Sequence, residues 1–217
     1  LADVRPDEWV TLRLSVSRGV PRRRGLLPVP GTVPTVVLHR ALLTPYPDPV
    51  YHRGVDAIVS TIPRNERSPL ATIKSLCYLD NVLARQEAAA HGVDEALLCN
   101  TRGELVRASA MNHFLVFGTV QATPPGARGA QPGTIRALIL DQLGGASGLQ
   151  PVERPLWPAD LARCDEAFLT NVLVGIVPLV RVAGRPVGSG EPGRWYHHLR
   201  KLLVDAWQRE TADGVKS

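Results

Sequence analysis

Ile73 to Ala88, IKSLCYLDNVLARQEA, sets one lysine, Lys74, just ahead of an apolar-periodic segment. Leu76, Leu79, Leu83 and Ala84 recur at three- and four-residue intervals, which predicts a helix packing that face inward. The helix runs to about His91 and is stopped by Gly92. A lysine at the mouth of such a helix, close to a core, loses part of its hydration. Desolvation lowers an amine's pKa and makes it a usable nucleophile or base. The same pattern also describes a solvated lysine at an ordinary helix start, and spacing alone does not choose between them.

Upstream, Trp9 to Val16 alternates Val10, Leu12, Leu14 and Val16 with polar positions, the pattern of a half-buried strand. Arg18 to Thr32 collects glycines, prolines and three consecutive arginines and reads as a loop. Thr35–Leu43 and Asp56–Ile62 read as strands joined by a proline-rich connection (Pro45, Pro47, Pro49). Pro63 to Pro69 is a loop leading to Lys74. Downstream, Asp94–Cys99 and Glu104–Phe117 are strands around a turn at Thr101-Arg102-Gly103, and Thr123 to Pro132 is a Pro/Gly loop. Gly133 opens a helix to about Leu143, Val152–Leu156 is a strand, and Pro158 starts a short helix. Strands broken near Gly175 fill Phe168–Val182, and an amphipathic helix runs from about Gly193 to Ala212. Antiparallel strands with helices packed around them imply an α+β or pseudobarrel domain.

At 217 residues, 44% hydrophobic and 21% charged, the composition is that of a globular chain with room for one large domain. The net charge of +5 suits anionic ligands. Basic residues are scattered apart from Arg22, Arg23 and Arg24, and only 5% of residues are aromatic, so stacking platforms for nucleic acid are not indicated. Cys77, Cys99 and Cys164 lack metal-ligand spacing and read as reduced thiols in a cytosol. No apolar run reaches membrane-spanning length and no signal peptide is visible, so a cytoplasmic protein is expected. There is no nucleophile elbow, phosphate-binding P-loop or metal constellation.

Five blocks in order, LRLSVSRG, the lysine block, DEALLCNTRGELVRASAMNHFLVFGTVQATPP, PGTIRALIL and DEAFLTNVLVGIVPLVRVAGRPVGSGEPG, resemble the class IV aminotransferases. This pyridoxal-phosphate family includes branched-chain and D-amino-acid transaminases and aminodeoxychorismate lyase. The resemblance runs from about Trp9 to the C-terminus. It implies the large C-terminal domain of the D-amino-acid-aminotransferase-like fold, with the small N-terminal domain mostly missing: residues 1–20 end that small domain, 21–34 form the interdomain loop, and 35–217 form the large cofactor domain. It implies pyridoxal 5'-phosphate as cofactor and Lys74 as the residue that forms the Schiff base and later moves the proton. It also implies a homodimer, in which each subunit borders the other's site. Apolar strand residues Phe114-Leu115-Val116-Phe117 are expected near the uncovered surface.

By the same resemblance, Gly133, Thr134 and Ile135 form the phosphate-binding turn, whose backbone N–H groups suit an anion, and Thr170, Asn171 and Val172 give a second phosphate contact. Asn112 and Phe114 mark an N-x-F motif, and His113 between them points away from the site. His197 and His198, on the last helix, read as structural. Arg22 and Arg24, after SRGVP, stand where the family clamps a substrate carboxylate, a task suited to bidentate guanidinium recognition. Two positions depart from the pattern. Arg107 occupies the place of a glutamate that accepts a bond from the pyridine nitrogen, and Gln131 that of a leucine packed on the ring. A guanidinium has donors only and stays charged, so the ring becomes a poorer electron sink. Glu104 lies three residues away on the opposite strand face and does not replace the missing carboxylate.

Arg107, the absence of a hydroxyl at Val172 and the arginine-rich loop favour a lyase that releases pyruvate from 4-amino-4-deoxychorismate to give 4-aminobenzoate, a step of folate biosynthesis. Elimination that yields an aromatic ring has its own driving force. The alternatives are a branched-chain or D-amino-acid transaminase, and a degenerate member that has lost the cofactor. In each enzymatic reading the partner is a small anionic amino-acid-like substrate.

Overall fold

The computed structural model describes residues 10–27, 29–43 and 48–214, without the side chains of 48 and 211–214. Trp9, Pro45 and Pro47 of the expected elements lie outside these residues. The chain divides into two units, Leu1–Tyr46 and Pro47–Ser217. In the first, β1 (Val10–Ser17) pairs antiparallel along its whole length with β2 (Thr35–Leu42), from Val10 opposite Leu42 to Ser17 opposite Thr35. The alternation expected of β1 is present, but its apolar positions Leu12, Leu14 and Val16 are exposed rather than half-buried. The pairing also assigns β2 to the first unit, whereas the sequence places residues 35–217 in the large domain. Strand pairing across a long loop sets that boundary, and local composition does not report it.

The second unit begins with α1 (Asp48–Arg53) and β3 (Val55–Val59), followed by α2 (Leu79–Ala90) and β4 (Glu95–Cys99). Next come β5 (Leu105–Ala108), β6 (Asn112–Phe117), β7 (Val120–Thr123) and α3 (Thr134–Leu138). A π-helical turn at Ile139–Leu143 interrupts what the sequence reads as one helix to Leu143, and α4 (Gly144–Ala146) extends it by one short turn. Then come β8 (Gln150–Glu153), a 3-10 turn at Pro158–Ala162, β9 (Glu166–Asn171), β10 (Gly175–Val182), β11 (Arg185–Pro186) and α5 (Arg194–Gly214).

The strands lie in the order β5-β4-β3-β10-β9-β6-β7-β8, with β11 on β10. The sheet is mixed rather than purely antiparallel: β3–β4, β3–β10 and β7–β8 are parallel. β10 is buried along almost its entire length, as its continuous apolar run GIVPLV dictates. Pro178 stands where this central strand changes partners. Gly175 to Pro178 pair with β9, and the ladder to β3 begins at Leu179, with a register shift before Arg181. A proline cannot donate to a ladder and is tolerated at such an irregularity, so the sheet curls about this point.

Two apolar layers hold the second unit together. On one face, Phe114, Val116, Phe168 and Ile176 pack against Ile135, Ile139 and Leu143 and against Tyr196, Leu199 and Leu203 of α5. The Phe114 and Phe168 rings stack with centroids 5.2 Å apart. The strand Phe114-Leu115-Val116, expected near an open surface, is fully buried. Elsewhere, Ala84 and Ala88 of α2 pack on Ile58, Ala96 and Leu98, their small side chains allowing close approach to β3 and β4. The helix therefore buries Asn81, Ala84 and Ala88, while Leu76, Leu79 and Leu83 of the expected inward face are exposed, Leu79 at 68%. Gly92 follows α2 with φ +69°, the left-handed turn that ends a helix without a Cβ penalty.

Candidate active site

Lys74 lies five residues before α2 in an irregular segment and is exposed, rather than set against the core at the helix mouth. Its Nζ sits 5.9 Å from the centroid of the Tyr78 ring. The same ring meets the Arg107 guanidinium at 5.6 Å, and Arg107 Nη2 donates to the Tyr78 hydroxyl at 2.7 Å. A cation near an aromatic face is attracted by the ring quadrupole, so Tyr78 links the two cations. Its part was missed in the sequence; the only signal is an aromatic ring four residues after the lysine, and its contact with Arg107 is set by tertiary structure.

Arg107 belongs to β5 and is buried, 2% exposed. A buried cation needs acceptors, and the backbone supplies two: Nε donates to the Ala108 carbonyl at 2.9 Å and Nη2 to the Ser109 carbonyl at 3.3 Å. Nη1 donates to the side-chain oxygen of Gln131. The two departures from the family pattern are thus bonded to each other. Gln131 is also tied through its backbone, since Asn112 Nδ2 donates to its carbonyl at 2.8 Å. Glu104 is engaged elsewhere: Arg128 donates to it at 3.0 Å and Asn100 at 2.7 Å.

Asn112 leads directly to the start of α3. A Cβ built on Gly133 falls 2.2 Å from Asn112 Oδ1, so the turn closes only without a side chain there. Gly133 is the N-cap of α3 and offers no side-chain bond. The first N–H groups of a helix have no intrahelical acceptor, which leaves the Thr134 and Ile135 amides as anion donors. Thr134 is exposed and Ile135 is buried in the core.

Thr170 pairs directly with Asn112 across β6 and β9, so both side chains share a face. Thr170 is fully buried and its hydroxyl has no hydrogen-bond partner among the described residues, an uncommon condition for a buried polar atom. Asn171 Oδ1 accepts from the Leu173 and Val174 amides at 2.9 Å each, and its Nδ2 donates to the Ala110 carbonyl at 3.3 Å. This fixes the turn that carries the exposed Val172. His113 is fully buried, and burial holds its imidazole down at about 3, neutral. Lys74, Arg107, Asn112, Gln131, Gly133–Ile135 and Thr170–Val172 all belong to the second unit, and Arg22 and Arg24 belong to the first, where both are exposed.

The site is polar and cationic, with one exposed amine and a set of backbone amides. A cavity of about 390 Å³ lies beside it, lined by Arg64, Asn65, Ser68, Cys77, Asp80 and Asn81 among others, and does not include Lys74. Among the described residues no group of three His, Cys, Asp or Glu could hold a metal ion, and no helix is long and apolar enough to cross a membrane.

Comparison with known proteins places the chain in a family. The family described as amino-transferase class IV matches residues 2–182. A Methanocaldococcus jannaschii protein named as a branched-chain-amino-acid aminotransferase is 33% identical over 206 residues, covering 94% of this chain and 69% of that protein. Among solved structures, a T.th. branched-chain amino acid aminotransferase with pyridoxamine 5'-phosphate shares the fold at a TM-score of 0.84 and 24% identity, over 91% of this chain and 65% of that one. A Legionella pneumophila protein named as a 4-amino-4-deoxychorismate lyase superposes at a TM-score of 0.79 with 25% identity, over 89% of this chain and 69% of that one. The chain thus spans about two thirds of the length of these proteins.

Proposed function

Because this chain belongs to the class IV aminotransferases, a family that uses pyridoxal phosphate, we propose that it binds this cofactor through Lys74 and releases pyruvate from a substrate of the 4-amino-4-deoxychorismate type. The observation that carries the lyase reading is Arg107, buried and hydrogen-bonded where the family resemblance implies a carboxylate.

The residues present suit the cofactor's phosphate. The Gly133–Ile135 turn offers amides without intrahelical acceptors, and the Thr170 hydroxyl is a donor without an acceptor among the described residues. Arg107 and Asn112 would border the ring, and Thr170 to Val172 would border the phosphate. Bound pyridoxal phosphate supplies an electron-withdrawing ring that stabilises negative charge on the carbon next to the substrate nitrogen. Lys74, exposed and close to the Tyr78 ring, is the group able to take up and return a proton at that carbon. Arg107 can donate to the ring nitrogen but cannot accept from it, and its fixed charge disfavours a proton there. That weakens charge stabilisation and penalises most a reaction needing a long-lived carbanion. An elimination driven by formation of an aromatic product suffers less.

Arg22 and Arg24 are proposed to clamp substrate carboxylates, residues 10–42 to be the end of a small N-terminal domain, and the compartment to be the cytoplasm. The second reading is an amino-acid transaminase, favoured by the similarity to the branched-chain aminotransferase named above. The full chain, loaded with pyridoxal phosphate, is assayed with 4-amino-4-deoxychorismate and, in parallel, with branched-chain and D-amino acids plus 2-oxoglutarate. Pyruvate and 4-aminobenzoate are expected. Amino transfer without pyruvate release would replace the lyase reading with the transaminase one.

A further inference from the structure

The Arg107–Gln131 pair does more than fill space left by a glutamate and a leucine. A guanidinium has five N–H donors. Here one on Nε goes to Ala108, two on Nη2 go to Tyr78 and Ser109, and one on Nη1 goes to Gln131. Among the described residues a single Nη1–H is left without an acceptor. Gln131 is the acceptor on that same nitrogen, and together with the bonds on Nε and Nη2 it fixes the guanidinium plane and hence the direction of that last donor. Gln131 is in turn fixed by Asn112, which donates to its carbonyl at 2.8 Å and abuts Gly133 at the start of α3. Contacts therefore run from Arg107 through Gln131 and Asn112 to Gly133, two of them hydrogen bonds and the last a close approach.

We propose that Gln131 is a positioning residue that orients the Arg107 guanidinium so that its remaining Nη1–H meets the ring nitrogen of the cofactor and keeps that nitrogen unprotonated. Resting on the cofactor reading above, this assigns the two departures one shared role. A leucine at 131 would leave Nη1 with an unmet buried donor and remove the restraint at that end of the fork. A glutamate at 107 would instead require the Gln131 amide to turn and present its NH2 group.

Two measurements on the full chain test this. The first is a thermal double-mutant cycle in cofactor-free protein with Arg107→Met, Gln131→Leu and the double variant. Arg107→Met strands the Gln131 oxygen and Gln131→Leu strands an Arg107 N–H, whereas the double change removes both; the other Arg107 acceptors are lost equally in Arg107→Met and the double, so the loss in Tm for the double should fall short of the sum of the singles by about 3 °C or more. The second is the ¹⁵N signal of ring-labelled pyridoxal phosphate bound to wild type, Gln131→Leu and Gln131→Glu. The wild-type nitrogen should stay unprotonated and insensitive to pH. Gln131→Leu should titrate, and Gln131→Glu, which keeps an acceptor, should retain the wild-type signal. Additive Tm losses, or a bound-cofactor signal unchanged in Gln131→Leu, would overturn the inference while leaving the cofactor reading intact. Failure of the wild type to bind the labelled cofactor would overturn both.

Discussion

At Gly133 the backbone passes so close to Asn112 Oδ1 that the smallest side chain collides with it. Gly133→Ala must push Asn112 away and break its bond to the Gln131 carbonyl, at a cost of about 1–3 kcal/mol, and should weaken phosphate binding besides. Thermal denaturation alongside inorganic-phosphate protection checks both effects; an unchanged Tm would show that the turn relaxes freely. Lys74, Arg107, Asn112, Gln131 and Gly133 could be singled out in the sequence because each stands in a block with a recognisable pattern. Tyr78 could not, since its contact with Arg107 joins residues 29 positions apart and leaves no local trace. The bond between Arg107 and Gln131 was hidden for the same reason: the sequence shows two departures, and only the fold shows that they touch.

Among the elements, β6 holds a consequence for pH. His113 is fully buried with neither ring nitrogen partnered, and desolvation sets its pKa at about 3 against 6.5 unfolded. A depressed pKa means that below about 6.5 the unfolded chain takes up a proton that the folded one refuses. Its contribution to stability is therefore full above that value and is lost as pH falls toward 3. Asp94, held low by its hydrogen bond to Arg53, and Glu87, held low by Ser60, act in the same direction at lower pH, where carboxylates titrate. His113→Phe should flatten the fall in Tm between pH 6.5 and 4.5, whereas a slope equal to wild type would show that other groups control it. Most strands were legible to within a few residues because period-two alternation and turn residues are local, but β7 was not foreseen and the stretch read as one strand over Glu104–Phe117 is broken into β5 and β6. The buried side of α2 was not legible, since periodicity identifies an apolar stripe without saying whether anything covers it. The break after Leu138 also has no sequence mark: Ile135, Ile139 and Leu143 keep helical spacing through the π turn.

For the whole molecule, the uncovered stripe matters most. Leu70, Ile73, Leu76, Leu79, Val82 and Leu83 are all exposed within one stretch of sequence, a concentration of apolar side chains of the kind that marks an interaction surface. We place the proposed homodimer contact there, replacing the buried β6 residues that the sequence suggested. Leu79→Ser with Val82→Ser and Leu83→Ser leaves the buried Ala84 and Ala88 contacts intact. It should lower Tm little while converting dimer to monomer in sedimentation at micromolar concentration. A wild type that sediments as monomer over a tenfold dilution would rule the dimer out. The division of the chain at Tyr46 was not legible, because it follows from β1 pairing with β2 across 17 intervening residues. The central claim is that Lys74 carries pyridoxal phosphate, and the sequence makes its test unusually clean, since Lys74, Lys201 and Lys216 are the only lysines. The full chain is incubated with pyridoxal phosphate, reduced with borohydride, digested and mapped by mass spectrometry. The account predicts one modified peptide, bearing Lys74 and absent from Lys74→Arg; modification confined to Lys201 or Lys216, or none at all, would contradict it.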